Sequence, residues 1–183
     1  DMHVDHKRLS HEEAMQAIYI KGRDNARTPV QWDASANAGF SPEGVTTWIN
    51  VNPNYPAINA EAVLADEDSI FYHYQQLVAL RRGELKDLMV YASFAPVDSV
   101  QVPHDEDEAV YAYTRTGGAD GSPANESLLV ISNFTAEEQE RDFAVLAEAR
   151  EAGARVELVS SNYKDDAGST LRPYEAKVYH IVR

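Results

Sequence analysis

The chain has 183 residues, of which 44% are hydrophobic, and a formal net charge of -14. That length allows one compact domain with a sizeable core, or a smaller domain with an appendage. The 30 acids against 16 Lys and Arg exclude a nucleic-acid role, because a phosphate backbone recruits basic patches. They argue equally against adsorption to anionic membranes. With no cysteine, disulfides, thiolate metal sites and cysteine nucleophiles are ruled out, which is compatible with a reducing cytoplasm.

No apolar run is long enough to span a membrane. The stretch Asp1-Met2-His3-Val4-Asp5-His6 is not a secretory signal. It does not begin with Met, so the chain is expected to start inside a longer protein.

In chain order, Ser10-His11-Glu12-Glu13 reads as a capping box, with Ser10 as N-cap and Glu13 three residues on. Ala14, Met15, Ile18 and Tyr19 then form an apolar helical face that Gly22 can end. Residues 22–57 lack periodicity and are rich in Asn, Pro, Gly and aromatics. Their aromatic content predicts an ordered loop, since disordered segments are poor in such residues. Asn59 can cap a short helical turn. A helix is expected from about Asp66 to Arg82, with Ile70, Phe71, Tyr74, Leu77 and Val78 on one side. Asp66, Glu67 and Asp68 suit its positive end and Arg81 and Arg82 its negative end.

After Gly83 the period changes. Segments 88–92, 109–114, 128–132, 156–159 and 177–182 are short, β-branched or aromatic, and separated by turn-rich stretches, including the loop 117–123. They predict an antiparallel β-sandwich. The expected division therefore falls near residue 86: helices and a long loop in 1–86, an all-β domain in 87–183.

Among chemical candidates, the segment Gly22–Asp33 gathers Arg forks, amides and Trp32, which suit directed bonds to sugar hydroxyls and packing on a sugar ring. The alternative is structural: Arg23 with Asp24, or Arg27 with Asp33, as ion pairs bracing the loop. Glycoside hydrolysis needs two carboxylates. The acid runs Asp105–Glu108 and Asp66–Asp68 both read as solvated surface. His11-Glu12-Glu13 lacks the second His of a zinc helix. His3 and His6 read as an unordered tail, and His104 and His180 lack nearby ligand partners in sequence. No nucleophile elbow is present. The sequons at Asn125 and Asn133 read as chance matches. No metal or cofactor site is expected.

The segment Gly22-Arg23-Asp24-Asn25-Ala26-Arg27-Thr28-Pro29-Val30-Gln31-Trp32-Asp33, followed by Asn37-Ala38-Gly39-Phe40, closely resembles a signature of bacterial oligo-1,6-glucosidases and their relatives in family 13 of the glycoside hydrolases. The similarity continues in order through Trp48, Val51–Tyr55, Asp68–Phe71, Leu80–Arg82, Ile131–Phe134, Ser161–Tyr163 and Leu171–Ala176. It implies the C-terminal remnant of a (β/α)8 barrel followed by an all-β antiparallel sandwich. The loop 22–57 would sit at the barrel mouth, where such active sites lie.

The three catalytic carboxylates of the family lie upstream of this motif, so the resemblance implies a fragment that is inactive alone. It also makes Arg23 a glucose-binding residue, with Asp24, Arg27, Gln31 and Trp32 as further substrate-site candidates. The implied whole is a cytoplasmic retaining α-glucosidase acting on terminal α-1,6 or α-1,4 bonds of short oligosaccharides. Its partners would be the sugar and the upstream barrel, and the isolated fragment could self-associate. Trehalose-6-phosphate hydrolases, dextran glucosidases and sucrose isomerases share the late motifs. A reading of another class is a non-catalytic carbohydrate-binding or scaffolding module at 87–183, with Tyr111, Tyr113 and Tyr179 as an aromatic platform.

Overall fold

A computed structural model describes residues 9–118 and 123–183. It divides into two compact units, Asp1–Tyr72 and His73–Arg183.

The first unit opens with helix α1, His11–Lys21. The capping box forms as expected: Ser10 Oγ accepts from the Glu13 amide, and the Glu13 carboxylate accepts from the Ser10 amide at 2.7 Å. Gly22 ends the helix by donating to the Ile18 carbonyl at 2.7 Å. A Cβ on Gly22 would lie 2.5 Å from that oxygen, so no other residue fits without a shift. No residue of α1 is buried, and Ile18, Tyr19 and Ile20 are well exposed.

Residues 22–57 are an irregular segment with two short 3-10 turns, Arg23–Ala26 and Ala36–Gly39. Asn59 then caps helix α2, Ala60–Ala65, accepting from the Ala62 amide at 2.9 Å. The helix expected from Asp66 begins only at Ile70: helix α3 is Ile70–Arg82. Asp66 closes α2 instead, and its side chain takes the Asp68 amide in a turn at 3.0 Å. The buried Ser69 fixes the break by donating from Oγ to the Val63 carbonyl at 2.6 Å. Acids that suit a helix N-terminus therefore serve a turn, because Asp side chains compete for nearby amides. The face of α3 carrying Ile70, Phe71, Tyr74 and Val78 is exposed.

In the second unit, residues 88–92 are a helix and not the expected strand. Helix α4, Lys86–Tyr91, follows from Leu85, Leu88 and Ala92, all buried. These recur at helical spacing, and that burial overrides the β propensity of Val90 and Tyr91. The strands are β1 Ser93–Pro96, β2 Val110–Thr116, β3 Glu126–Asn133, β4 Gln139–Glu140, β5 Arg155–Ser161, β6 Thr170–Leu171 and β7 Ala176–Val182. A helix the periodicity did not reveal, α5, covers Ala144–Glu151. Of the expected loop 117–123, residues 119–122 lie outside the described residues.

Five strands form one antiparallel sheet in the order β1-β2-β3-β7-β5. In place of a full second sheet, the structure has the two-stranded β4–β6 ladder together with α5. One sheet face carries Val110, Ala112, Leu129, Ile131, Tyr179 and Ile181 against Phe143, Leu146, Ala149 and Leu171. The other face packs Leu128 against Leu85, Leu88 and Ala92 of the α4 region. β3 is thus buried on both sides, which explains its run Leu128-Leu129-Val130-Ile131.

Leu129 is fully buried at the centre of the larger core. Leu129→Ala should lower the stability of the second unit by about 2–5 kcal/mol, because a central site collapses poorly around lost methyls. Urea unfolding followed by circular dichroism measures this. A loss under about 1 kcal/mol would mean that the core is not packed as described.

Candidate functional site

The Gly22–Asp33 segment lies wholly in the first unit. Arg23 begins a 3-10 turn, and its side chain is exposed and in no ion pair among the described residues. Asp24 and Arg27 lie on the same turn, 4.0 Å apart and both well exposed. At that exposure the contact is worth little. Asp33 does not reach Arg27; it accepts from the Ser35 amide at 2.8 Å and from the Ser35 hydroxyl. Those hydrogen bonds, the hydroxyl's first, hold the Asp33 carboxyl below the usual range.

Gln31 faces the loop's interior network. Its amide donates to Asn54 Oδ1 at 3.0 Å and to the Ile58 carbonyl. Its own carbonyl accepts from Ala60 at 2.9 Å. Trp32 is about half exposed, and its backbone amide donates to Ala38 at 2.8 Å. The five residues singled out from sequence therefore separate. Arg23, Asp24 and Arg27 present charge to solvent, Trp32 presents an open ring, and the Gln31 amide nitrogen is engaged within the loop.

The Asn37-Ala38-Gly39 run makes this arrangement rigid. All three residues have positive φ, at 54°, 56° and 65°. Ala38 is fully buried in that conformation, which costs on the order of 1–2 kcal/mol for a residue with a Cβ. Asn37 offsets it by donating from Nδ2 to the carbonyls of Pro42 and Val45 at 3.0 and 2.9 Å. Gly39 suits this position, because its φ of 65° strains a side chain and a Cβ there would press 2.5 Å from the Asp33 carboxylate. Next to this turn lies an apolar groove of about 530 Å3 lined by Arg27, Pro29, Phe40, Val45, Trp48 and Ile49, among others. Trp48 stands fully in solvent at 101%.

Asp107 is not surface, as its run suggested: its side chain is 4% exposed and bonds Arg141 at 2.7 Å. It also accepts from the amides of Ala109 and Val110. Burial pushes its carboxyl up, but Arg141 and the two amides outweigh that and leave it lowered.

A larger network surrounds Lys177, which has no solvent exposure. Its ammonium donates to Asp166 Oδ1 at 3.1 Å, to the Gly168 carbonyl at 3.0 Å and to the Thr170 carbonyl at 3.1 Å. The equally buried Glu175 is held by Arg172, whose Nη2 donates at 2.7 Å and whose amide donates at 2.8 Å. Arg172 also lies over the Tyr163 ring at 4.0 Å. Tyr179 donates its hydroxyl to Asp166 at 2.8 Å. Burial raises both carboxyls. Tyr179, the Gly168 amide and Lys177 lower Asp166 by more, and Arg172 and Lys177 do so for Glu175.

The histidines do have partners: His104 Nδ1 lies 2.6 Å from Asp98, and His180 Nε2 lies 2.7 Å from Glu126. Among the described residues, no group of three or more His, Asp or Glu could hold a metal ion. Asn133 is buried and donates from Nδ2 to the carbonyls of Glu137, Leu171 and Arg172, so its sequon is closed to modification. Of the three tyrosines read as a platform, Tyr179 is core.

The family model described as "Alpha amylase, catalytic domain" matches residues 1–91. The chain is 42% identical over 176 residues to an oligo-1,6-glucosidase of Bacillus cereus, a match covering 93% of this chain and 28% of that protein. It is 36% identical to a trehalose-6-phosphate hydrolase of Bacillus subtilis, over 97% of this chain and 29% of that protein. Among solved structures, the trehalose-6-phosphate hydrolase of Bacillus licheniformis superposes with a TM-score of 0.79 at 34% identity, covering 98% of this chain and 30% of that one. The chain belongs to the α-amylase family, family 13 of the glycoside hydrolases. It spans a little under a third of the length of these relatives.

Three carboxyls in the second unit, Asp107, Asp166 and Glu175, lie below their ordinary pKa. For such groups the stabilising contribution is complete above the unfolded value of about 4 and is lost as pH falls through the lowered folded value. Stability of the second unit should therefore hold from pH 7 to 5 and fall below about pH 4. Glu175→Ala, which takes from Arg172 its buried acceptor and from Lys177 its second carboxylate, should cost about 3–5 kcal/mol at neutral pH. Urea midpoints between pH 7 and 2.5 test both; a flat acid profile would contradict the network.

Proposed function

We propose that the chain is the C-terminal part of a retaining α-glucosidase that hydrolyses terminal α-1,6, or α-1,4, bonds of short oligosaccharides. In this reading residues 1–86 complete a (β/α)8 barrel and carry the loop at its substrate mouth. Residues 87–183 are the C-terminal β-domain, and the enzyme works in the cytoplasm. The carrying observation is Arg23, an exposed guanidinium in no ion pair among the described residues, within the stretch matched by the α-amylase catalytic domain. The α-1,6 preference is favoured because relatives at 42% and 41% identity are oligo-1,6-glucosidases.

The chemistry needs a nucleophilic carboxylate and an acid/base carboxyl about 5–5.5 Å apart. Asp33, Asp107, Asp166 and Glu175 are each engaged by local donors, and in this reading both reacting groups belong to the preceding part of the enzyme. Arg23 supplies forked donors that fix the glucose hydroxyls while those carboxylates act. Asp24 and Arg27, on the same turn, and the Trp32 ring border the sugar. Gln31 shapes the loop from behind.

Two measurements test this. The 183-residue chain alone should give no turnover of p-nitrophenyl α-glucoside; turnover that scales with chain concentration through purification would overturn the assignment. In the polypeptide of full family length, Arg23→Ala should lower kcat/KM by about 10- to 150-fold, the worth of a charge-assisted hydrogen bond. Arg23→Lys should restore little, because a point charge does not replace the fork. An unchanged kcat/KM would remove Arg23 from the site.

The exposed faces of α1 and α3 fit the same reading, since an incomplete barrel leaves apolar residues uncovered. The chain alone should then self-associate. Sedimentation velocity over a 100-fold concentration range should show growing mass, whereas a constant monomer would argue that these faces need no cover.

A further inference from the structure

The sheet face that carries α4 also bears a strip of aromatic side chains beside the helix. Successive odd-numbered residues of β2 point to this side: Tyr111, Tyr113 and Arg115, paired across the ladder with Ser132, Val130 and Leu128. On the neighbouring edge strand, Phe94 pairs with Arg115. The rings run together, with Phe94 and Tyr113 centroids 5.1 Å apart and Tyr113 and Tyr111 5.8 Å apart. Phe94 is 51% exposed and Tyr111 42%. At the Phe94 end, Arg81, Met89, Phe94, Tyr113 and Arg115 help to line a shallow cleft of about 230 Å3. Arg115 donates Nε to the Leu88 carbonyl at 3.3 Å, which fixes its plane and leaves four of its five donors. Neither Arg81 nor Arg115 has a carboxylate partner among the described residues.

From this we infer that the Phe94–Tyr113–Tyr111 strip, with Arg81 and Arg115, is a non-catalytic surface site for a neutral gluco-oligosaccharide. A pyranose has an apolar C–H face and a rim of hydroxyls. The exposed Phe94 and Tyr111 rings, with the half-buried Tyr113 between them, supply the surface for the face, because aromatic side chains offer large rigid area with little entropy to lose. The two guanidiniums supply donors for the rim. The cleft is small beside the roughly 300–1,000 Å3 of an enclosed ligand pocket, so it suits a chain of sugars lying across the surface. A free anion is disfavoured, because the chain carries a net charge of -14. The site belongs to the second unit alone and does not depend on the Arg23 loop.

The test is titration of the intact 183-residue chain with isomaltotriose and maltotriose, followed by amide and aromatic NMR shifts at fixed protein concentration. Binding with Kd on the order of 1 mM is expected, with shifts centred on residues 94, 111, 113 and 115. Phe94→Ala and Tyr111→Ala should each weaken it at least about 5-fold. Tyr111→Phe should keep it, which a purely structural role of the hydroxyl would not allow. The proposal fails if no shift appears at about 20 mM sugar, or if both alanine variants bind as before. Shifts confined to residues 23–32 would also sink it, while supporting the separate Arg23 reading. Strip signals that move with protein concentration and not with sugar would identify a protein interface instead.

Discussion

The buried Lys177 ammonium is the constraint around which the second unit is organised. β7 alternates strictly, with Lys177, Tyr179 and Ile181 buried and the residues between them half-buried. Lys177 therefore points to the same face as the main core, where an unpaired charge would be prohibitive. Everything from Asp165 to Glu175 answers it. Asp166, Gly168 and Thr170 take its three protons, and Glu175 lies 3.7 Å away under Arg172. A slip of β7 by one residue would turn Lys177 outward and strand Glu175 in the interior. The network consequently fixes the register of β7 against β3 and β5. A buried ion pair of this kind is weak evidence for net stability. Its role here is to make one register far better than its neighbours.

That register places the sheet so that both its faces are used. β3, at the centre, donates Leu128 to one core and Leu129 and Ile131 to the other. The second layer needs only α5 and the short β4–β6 ladder, because Phe143, Leu146 and Leu171 already close the larger core. On the opposite face, Leu80, Leu85, Leu88 and Met89 pack on Leu128, Val159 and Val178, and the Phe94 and Tyr111 rings beside them stay exposed.

What the sequence disclosed was local. The capping box at Ser10, the Asn59 cap and four of the strands rest on neighbours within a few residues, so pattern alone finds them. What it hid was non-local. The helix at 86–91 depends on Leu85 and Ala92 being buried with Leu88 against β3; read from Leu88 onward, the segment is only a short apolar run. Asp107 looked like one acid among four until Arg141, 34 residues on, folded onto it. The intramolecular partners of Gln31 were hidden because Asn54 and Ile58 are 23 and 27 residues away. Phe94 went unnoticed because β1 is four residues long and exposed throughout, so it carries no alternation.

The same distinction bears on Arg23. Residues 31–59 are tied together by long hydrogen bonds and by the left-handed turn at Asn37–Gly39. The turn bearing Arg23 is held by much less: the Arg27 amide on Asp24, a 4.0 Å contact between exposed side chains, and the Gly22 amide on Ile18. The last of these is the stiffest, because Gly22 is pressed against the end of α1. The position of the Arg23 guanidinium is thus inherited from α1 on one side and from the braced loop on the other. α1 buries none of its residues, although Ile18 and Ile20 are apolar and open. Whatever covers those two side chains also aims Arg23. On the proposal that the preceding part of the enzyme covers that face, sugar binding by this loop and closure of the apolar face of α1 are one event.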